Sequence, residues 1–129
     1  LGFEALSRFA KSATLIELDS SAAKQLEQNI TTLKLQNAHV KNTNTLSFLE
    51  QKNLNAPFDL VFVDPPFHKN LTQTSCAFLE KNQWLNSESL IYVEVESDLK
   101  SFEAPSNWLL FKEKKAGQVF CRLYQRQAN

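Results

Sequence analysis

The chain has 129 residues, with 14 basic and 14 acidic side chains and a formal net charge of zero. At 43% apolar and 22% charged residues, it is composed as one folded domain with one core rather than as a disordered chain. No apolar run approaches the ~20 residues needed to span a bilayer, and the neutral balance provides no global pull toward a phosphate-rich partner.

The chain opens without Met on "LGFEALSRFA". Leu1, Ala5, Leu6 and Phe9 fall near helical spacing, so residues 1–11 are expected to be a helix and the chain a fragment that starts inside it. "ATLIEL", 13–18, is a short apolar strand stopping at acidic residues. Ser20 or Ser21 can cap the helix that follows to about Leu35, with Ala22, Leu26, Ile30 and Leu33 on one face. "AHVKN", 38–42, reads as a strand centred on Val40, and a helix from about Leu46 to Lys52 comes next.

"FDLVFV", 58–63, is apolar on both faces except for Asp59, the pattern of a strand buried in the middle of a parallel sheet. Residues 71–82 read as a helix with Leu71, Cys76, Phe78 and Leu79 as apolar contacts. "LIYVEV", 90–95, is the next strand. In "WLLFKEKKAGQVFCRLYQ" two strand-like runs flank Ala116-Gly117 and predict a β-hairpin. No repeat or linker divides residues 1–129.

Alternating strands and helices closed by an antiparallel pair make an α/β sandwich with a mixed sheet. Ligands of such sheets sit outside the carboxyl ends of the strands. Here that rim comprises Glu17-Leu18-Asp19, Thr43-Asn44-Thr45, Asp64-Pro65-Pro66-Phe67 and Glu94-Val95-Glu96. A carboxylate at Glu17 can accept from both hydroxyls of a ribose, with Asp19 the lesser competitor; the alternative for either is a solvated acid at a helix start. Asn44 can read the edge of an adenine, or serve as a turn or N-cap residue. Together they point to an adenosine.

Asp64-Pro65-Pro66-Phe67 supplies the second half of the rim. The Asp64 carboxylate and the Pro65 carbonyl are acceptors, Pro66 stiffens the turn, and Phe67 offers a flat face. These groups suit a planar base carrying an exocyclic amine. Such an amine is a poor nucleophile because its lone pair is delocalised into the ring. Two fixed acceptors favour its pyramidal form and stabilise the positive charge it gains, and preorganised contacts of this kind contribute ~3–4 kcal/mol each. The adenosine-bearing methyl donor is S-adenosylmethionine. The bland alternative is ordinary turn chemistry after a strand.

The remaining candidates are weaker. Cys76 and Cys121 are too far apart for a Cys-x-x-Cys site and read as buried thiols of a reducing compartment, with no metal expected. Phe111 to Arg126 carries Lys112, Lys114, Lys115, Arg122 and Arg126 against Glu113 alone, either a solvated hairpin face or a phosphate-contacting patch. Lys69 could touch a phosphate, His68 accept a proton, and Trp84 and Trp108 pack in the core or stack on bases.

The segments "LGFEALSR", "ATLIELD", "NTLSFL", "FDLVFVDPPF", "LIYVEVE" and "AGQVFCRLYQR" resemble, in order and spacing, the RsmD family of 16S ribosomal RNA (guanine-N2)-methyltransferases, within the class I S-adenosylmethionine-dependent methyltransferases. The resemblance covers essentially the whole chain. It implies a Rossmann-like sandwich with a mostly parallel sheet ending in an antiparallel hairpin, its first strand and a basic RNA-contacting segment lying upstream of Leu1. It implies one methyltransferase domain over 1–129 that methylates N2 of a guanine in 16S rRNA, free or in an assembling subunit, as a cytoplasmic monomer away from membranes, and releases S-adenosylhomocysteine.

By the same resemblance, Leu1-Gly2 ends a glycine-rich donor loop, Glu17 and its neighbour Leu18 lie at the donor's ribose, and Asn44 and Thr45 lie at its adenine. Asp64, Pro65, Pro66 and Phe67 form the amine site, with Asp64 also beside the donor. Many methyltransferases carry Asp at the position of Asn44. The rival readings are N-methylation of DNA adenine or cytosine or of protein glutamine, and a methyltransferase-fold RNA-binding module without turnover.

Overall fold

The computed structural model describes residues 13–17, 20–34, 37–63, 71–96 and 102–127. The expected first helix, Gly2, Leu18, Asp19, Leu35 and the segment from Asp64 through Lys69 lie outside the described residues. Contacts divide the chain into two compact units, Leu1–Phe48 and Leu49–Asn129.

In the first unit, β1 (Ala13–Glu17), α1 (Ser20–Thr32) and β2 (Ala38–Asn42) form a β-α-β turn of the chain. The two five-residue strands pair in parallel, Ala13 with Ala38 through to Glu17 with Asn42, so their carboxyl ends are level. Helix α1 buries Ala23 and half-buries Ala22, Leu26 and Ile30. It stops earlier than its sequence suggests. Lys34 takes a left-handed φ of 56° and leaves Leu33, expected on the apolar face, 58% exposed. With no glycine available, a lysine adopts the left-handed conformation that commonly follows a helix, at some cost in strain.

Helix α2 (Thr45–Glu50) is too short to be stable alone. Leu49 and Glu50, which end it, belong to the second unit, and their carbonyls are satisfied by side chains of that same unit. Asn82 Nδ2 donates to the carbonyls of Leu49 (2.8 Å) and Glu50 (3.1 Å), and Trp84 Nε1 donates to those of Leu49 (3.0 Å) and Gln51 (3.1 Å). Buried Asn53 adds Nδ2 to the Gln83 carbonyl at 3.0 Å. This knot also fixes where β3 begins, because the Phe58 amide donates to the Trp84 carbonyl at 2.8 Å and the two rings stack 6.4 Å apart. Trp84 is thus a core residue.

The second unit holds β3 (Phe58–Val63), α3 (Leu71–Lys81), β4 (Leu85–Glu96), β5 (Trp108–Ala116) and β6 (Val119–Arg126). Its strands run in the order β3-β4-β6-β5, with β3 parallel to β4 and the other two pairs antiparallel. Ile91, Val93 and Val95 alternate along β4, almost wholly buried, on the face shared with Tyr124. Helix α3 buries Thr72, Ser75, Cys76 and Leu79.

Two expectations change here. Strand β3 is not buried on both faces. Val63 is buried, but Leu60 is 44% and Phe62 38% exposed. The period of two sends Leu60 and Phe62 to the face opposite Val63, where Phe62 meets the Tyr92 ring edge-on at 5.8 Å. Strand β4 begins five residues before its apolar run. Between the pairs Phe58–Leu85 and Leu60–Leu90, two steps of β3 face five of β4. Asn86 secures this bulge by donating Nδ2 to Asp59 Oδ1 at 2.6 Å and accepting the Ser87 amide at 2.8 Å.

The hairpin turn is Gly117-Gln118, closed by the pair Ala116–Val119. Gly117 has φ 62° and Gln118 is not left-handed, the pattern of a type II′ turn. Trp108 is buried, tilts against Tyr124 at 5.9 Å and donates Nε1 to Glu80 at 2.8 Å, so it too is a core residue.

Candidate active site

Of the expected site residues, Glu17, Asn44 and Thr45 are among the described residues. In the first unit, the register that pairs Glu17 with Asn42 sets these two positions side by side where β1 and β2 end. Asn42 Nδ2 donates to Ser20 Oγ at 3.2 Å, tying the end of β2 to the first residue of α1. Asn42 carries no signal in the sequence alone, since its place beside Glu17 depends on the pairing register. Asn44, exposed two residues on, accepts the Ser47 amide through Oδ1 at 3.2 Å and so caps α2. The N-cap role, open from the sequence, is therefore occupied, and Nδ2 takes no part in it. Thr45 is the first residue of α2 and exposed.

In the second unit, Val63 ends β3 in a row of paired residues running Val63–Val93–Arg122–Glu113 across the sheet. Asp64, Pro65, Pro66 and Phe67 follow Val63 in the chain and lie outside the described residues. The alternation of β4 places Tyr92 and Glu94 on the half-exposed face. Tyr92 Oη donates to Glu94 Oε1 at 3.0 Å. A hydrogen bond with Cys121, then burial, then Glu94 push the Tyr92 phenol well above its ordinary range, so it stays a neutral donor.

The basic residues of the tail separate into two kinds. Arg126 grips Glu80 with Nε to Oε1 at 2.8 Å and Nη2 to Oε2 at 2.9 Å, so it belongs to the core's edge and not to a surface patch. Arg122 pairs with Glu113 at 2.6 Å and lies over the rings of Phe120 (5.3 Å) and Phe102 (5.9 Å). Lys112, Lys114 and Lys115 are exposed.

The thiols are unpaired to each other. Cys76 is fully buried, and burial pushes it up to about 12; Cys121 is half-buried. Among the described residues no group of three or more His, Cys, Asp or Glu side chains could hold a metal ion, and no helix is long and apolar enough to cross a membrane.

An α/β chain with parallel pairs followed by a closing antiparallel hairpin is the class I methyltransferase fold, and solved methylases share it. A putative methyltransferase, yhhF, from Escherichia coli superposes with a TM-score of 0.94 at 52% identity, over 100% of this chain and 72% of that one. The family model described as "Conserved hypothetical protein 95" matches residues 1–125, and the chain belongs to that family, in agreement with the RsmD resemblance. Relatives named Ribosomal RNA small subunit methyltransferase D are 52% identical over 128 residues in Escherichia coli (strain K12) and 50% identical over 127 residues in Haemophilus influenzae. They align with 99% and 97% of this chain, which spans only 64% and 65% of their own length.

Proposed function

We propose that the protein of which this chain is part transfers a methyl group from S-adenosylmethionine to the exocyclic N2 amine of a guanine in 16S ribosomal RNA. The observation that carries the proposal is the end of β3 at Val63, in parallel pairing with Val93. It makes Asp64 the first residue beyond the carboxyl end of that strand, where ligands of open α/β sheets bind. The names of the relatives at 50% identity and above support ribosomal RNA as the acceptor.

The donor set fits an adenosine. Glu17, level with Asn42 at the strand ends, would accept from the two ribose hydroxyls. Asn44 has Oδ1 engaged in its cap, which leaves its Nδ2 donors the right chemistry for an acceptor nitrogen of the adenine edge. Leu18, Thr45 and Gly2 would complete that side. Bound S-adenosylmethionine supplies an electrophilic methyl carbon on a sulfonium.

The chain's own contribution is to aim the amine. The Asp64 carboxylate and the Pro65 carbonyl would accept its two N–H groups, while Pro66 holds the turn and Phe67 carries the face of the base. This orients the nitrogen lone pair and stabilises the charge that nitrogen gains. The proton then leaves an already cationic nitrogen for water, so no dedicated base is needed and His68 has no required role. The reaction consumes no metal. We place it in the cytoplasm, on a monomeric enzyme acting on free or assembling small-subunit RNA.

Incubating the full-length protein with methyl-labelled donor and separate RNA, DNA and protein pools tests the proposal. Label in 16S rRNA that digests to N2-methylguanosine is expected. Label confined to DNA or protein would overturn it, as would an absence of donor binding by calorimetry.

A further inference from the structure

The row Val63–Val93–Arg122–Glu113 marks where β3 ends, but the sheet does not end there. Strands β4, β6 and β5 run on together through the pairs Glu94–Cys121–Lys114, Val95–Phe120–Lys115 and Glu96–Val119–Ala116. Three further residues at about 3.3 Å each make an overhang of roughly 10 Å beyond the carboxyl end of β3. This projection extends past Val63, the last residue of β3, and is capped by the tight Gly117-Gln118 turn.

The overhang and the residue before its row carry three exposed lysines within four residues of β5. Lys114 and Lys115 lie beyond the row and Lys112 one residue before it, all three exposed. Lys115 Nζ stands 5.8 Å from the Phe120 ring centre, and Arg122 lies between Phe120 and Phe102. Arg122 is neutralised by Glu113 and holds the rings in place; the lysines carry the net charge.

Lysines on an edge strand also deter pairing with other chains. That role would put charge along the whole edge of β5. Instead, its first part exposes Leu109, Leu110 and Phe111, at 57%, 46% and 59%, without a charge among them. The lysines of β5 begin at Lys112, one residue before the row, and continue into the overhang. Three exposed lysines within four residues, one of them over the half-exposed Phe120 ring, at one end of a sheet fit a single-stranded phosphate backbone.

We infer that the tip of the β5–β6 hairpin is a phosphate-contacting arm, with Lys112, Lys114 and Lys115 holding the RNA strand that flanks the target base. This rests on the proposed function and assigns it a substrate-positioning surface outside the Asp64 site. The arm steers and anchors the strand and takes no part in the transfer itself.

The test uses the full-length protein carrying Lys112→Gln, Lys114→Gln and Lys115→Gln together, beside a Lys→Arg version of the same three positions. Deproteinised 16S rRNA is the probe, with binding followed from 50 to 300 mM salt and initial methylation rates measured over RNA concentration. Loss of three phosphate contacts lowers the slope of log affinity against log salt by about 2 and raises the RNA KM about 10- to 100-fold near 0.15 M salt. The kcat at saturating RNA and the donor Kd stay unchanged, and the arginine version restores wild-type binding.

An unchanged salt slope and KM in a protein that methylates RNA normally overturns the arm and leaves the proposed function standing. A defect seen with intact small subunits but absent with deproteinised RNA also overturns it, since the hairpin would then meet a ribosomal protein. If the wild-type protein labels neither deproteinised 16S rRNA nor the RNA of small subunits, both readings fall.

Discussion

Arg126 and Glu80 meet as a two-pronged pair, Nε to Oε1 at 2.8 Å and Nη2 to Oε2 at 2.9 Å, with Trp108 Nε1 donating to the same Oε1 at 2.8 Å. The pair joins the last strand of the hairpin to the last turn of α3, and each side chain is 19% exposed. Burial raises the Glu80 carboxyl, and the hydrogen bonds from Arg126, Trp108 and Asn107 more than reverse this, so its pKa lies below the ordinary value.

A lowered folded-state pKa stabilises the protein above the unfolded value, about 4.3 for a glutamate, and that contribution is lost as pH falls through the folded value. Glu80→Gln should therefore flatten the stability profile below pH ~4.5. At pH 7, Glu80→Ala should cost about 2 kcal/mol, between the limits for exposed and fully buried pairs. Urea unfolding from pH 3 to 7 reads both effects; parallel profiles for wild type and Glu80→Gln would rule out the linkage.

Asn44 has two duties that substitution can separate. Asn44→Ala removes the Oδ1 that caps α2 and should lower stability by about 1 kcal/mol. Asn44→Asp keeps an acceptor at the same place and should retain that stability. It also replaces the Nδ2 donor, so an adenine contact through Nδ2 predicts weaker donor binding in the Asp variant. Equal donor affinity in a stable Asn44→Asp protein would leave Asn44 as a cap alone.

Glu17→Ala should weaken S-adenosylmethionine binding roughly 10- to 100-fold, the loss of charge-assisted hydrogen bonds to a ribose. Calorimetry on the full-length protein measures it, and an unchanged dissociation constant would count against the ribose assignment.

Cys76 is fully buried and pushed up to about 12, so almost none of it is thiolate at pH 8. An aromatic disulfide reagent should consume Cys121 first and reach Cys76 only at the rate of unfolding. Equal fast reaction of both thiols would contradict the packing beneath α3.

These tests divide along a line that the sequence itself draws. Strands 38–42 and 58–63 are legible residue for residue, because each is a short apolar or alternating run bounded by polar turns. The early start of β4 is not, because Asn86, Ser87 and Glu88 are polar residues of a bulge held by Asp59, a partner known only once the strands pair. Leu33 has the right spacing for the buried face of α1 but falls past the turn at Lys34, which no glycine announces. The ends of β2 at Asn42 and β3 at Val63 are legible because strand ends can be counted. Which basic residues face a ligand is not, since Arg126 meets Glu80 across 46 residues of sequence. Counting charges places Arg126 in a surface patch that the fold removes it from.

The central proposal is that Asp64–Phe67, the residues that follow β3 in the chain, hold an aromatic amine, and Asp64→Ala tests it most directly. Single-turnover methylation of 16S rRNA by the full-length variant should slow by about 100- to 1,000-fold, with the S-adenosylmethionine dissociation constant within about twofold of wild type. A variant that methylates at the wild-type rate, or one whose defect is a collapse of donor binding alone, would contradict the account.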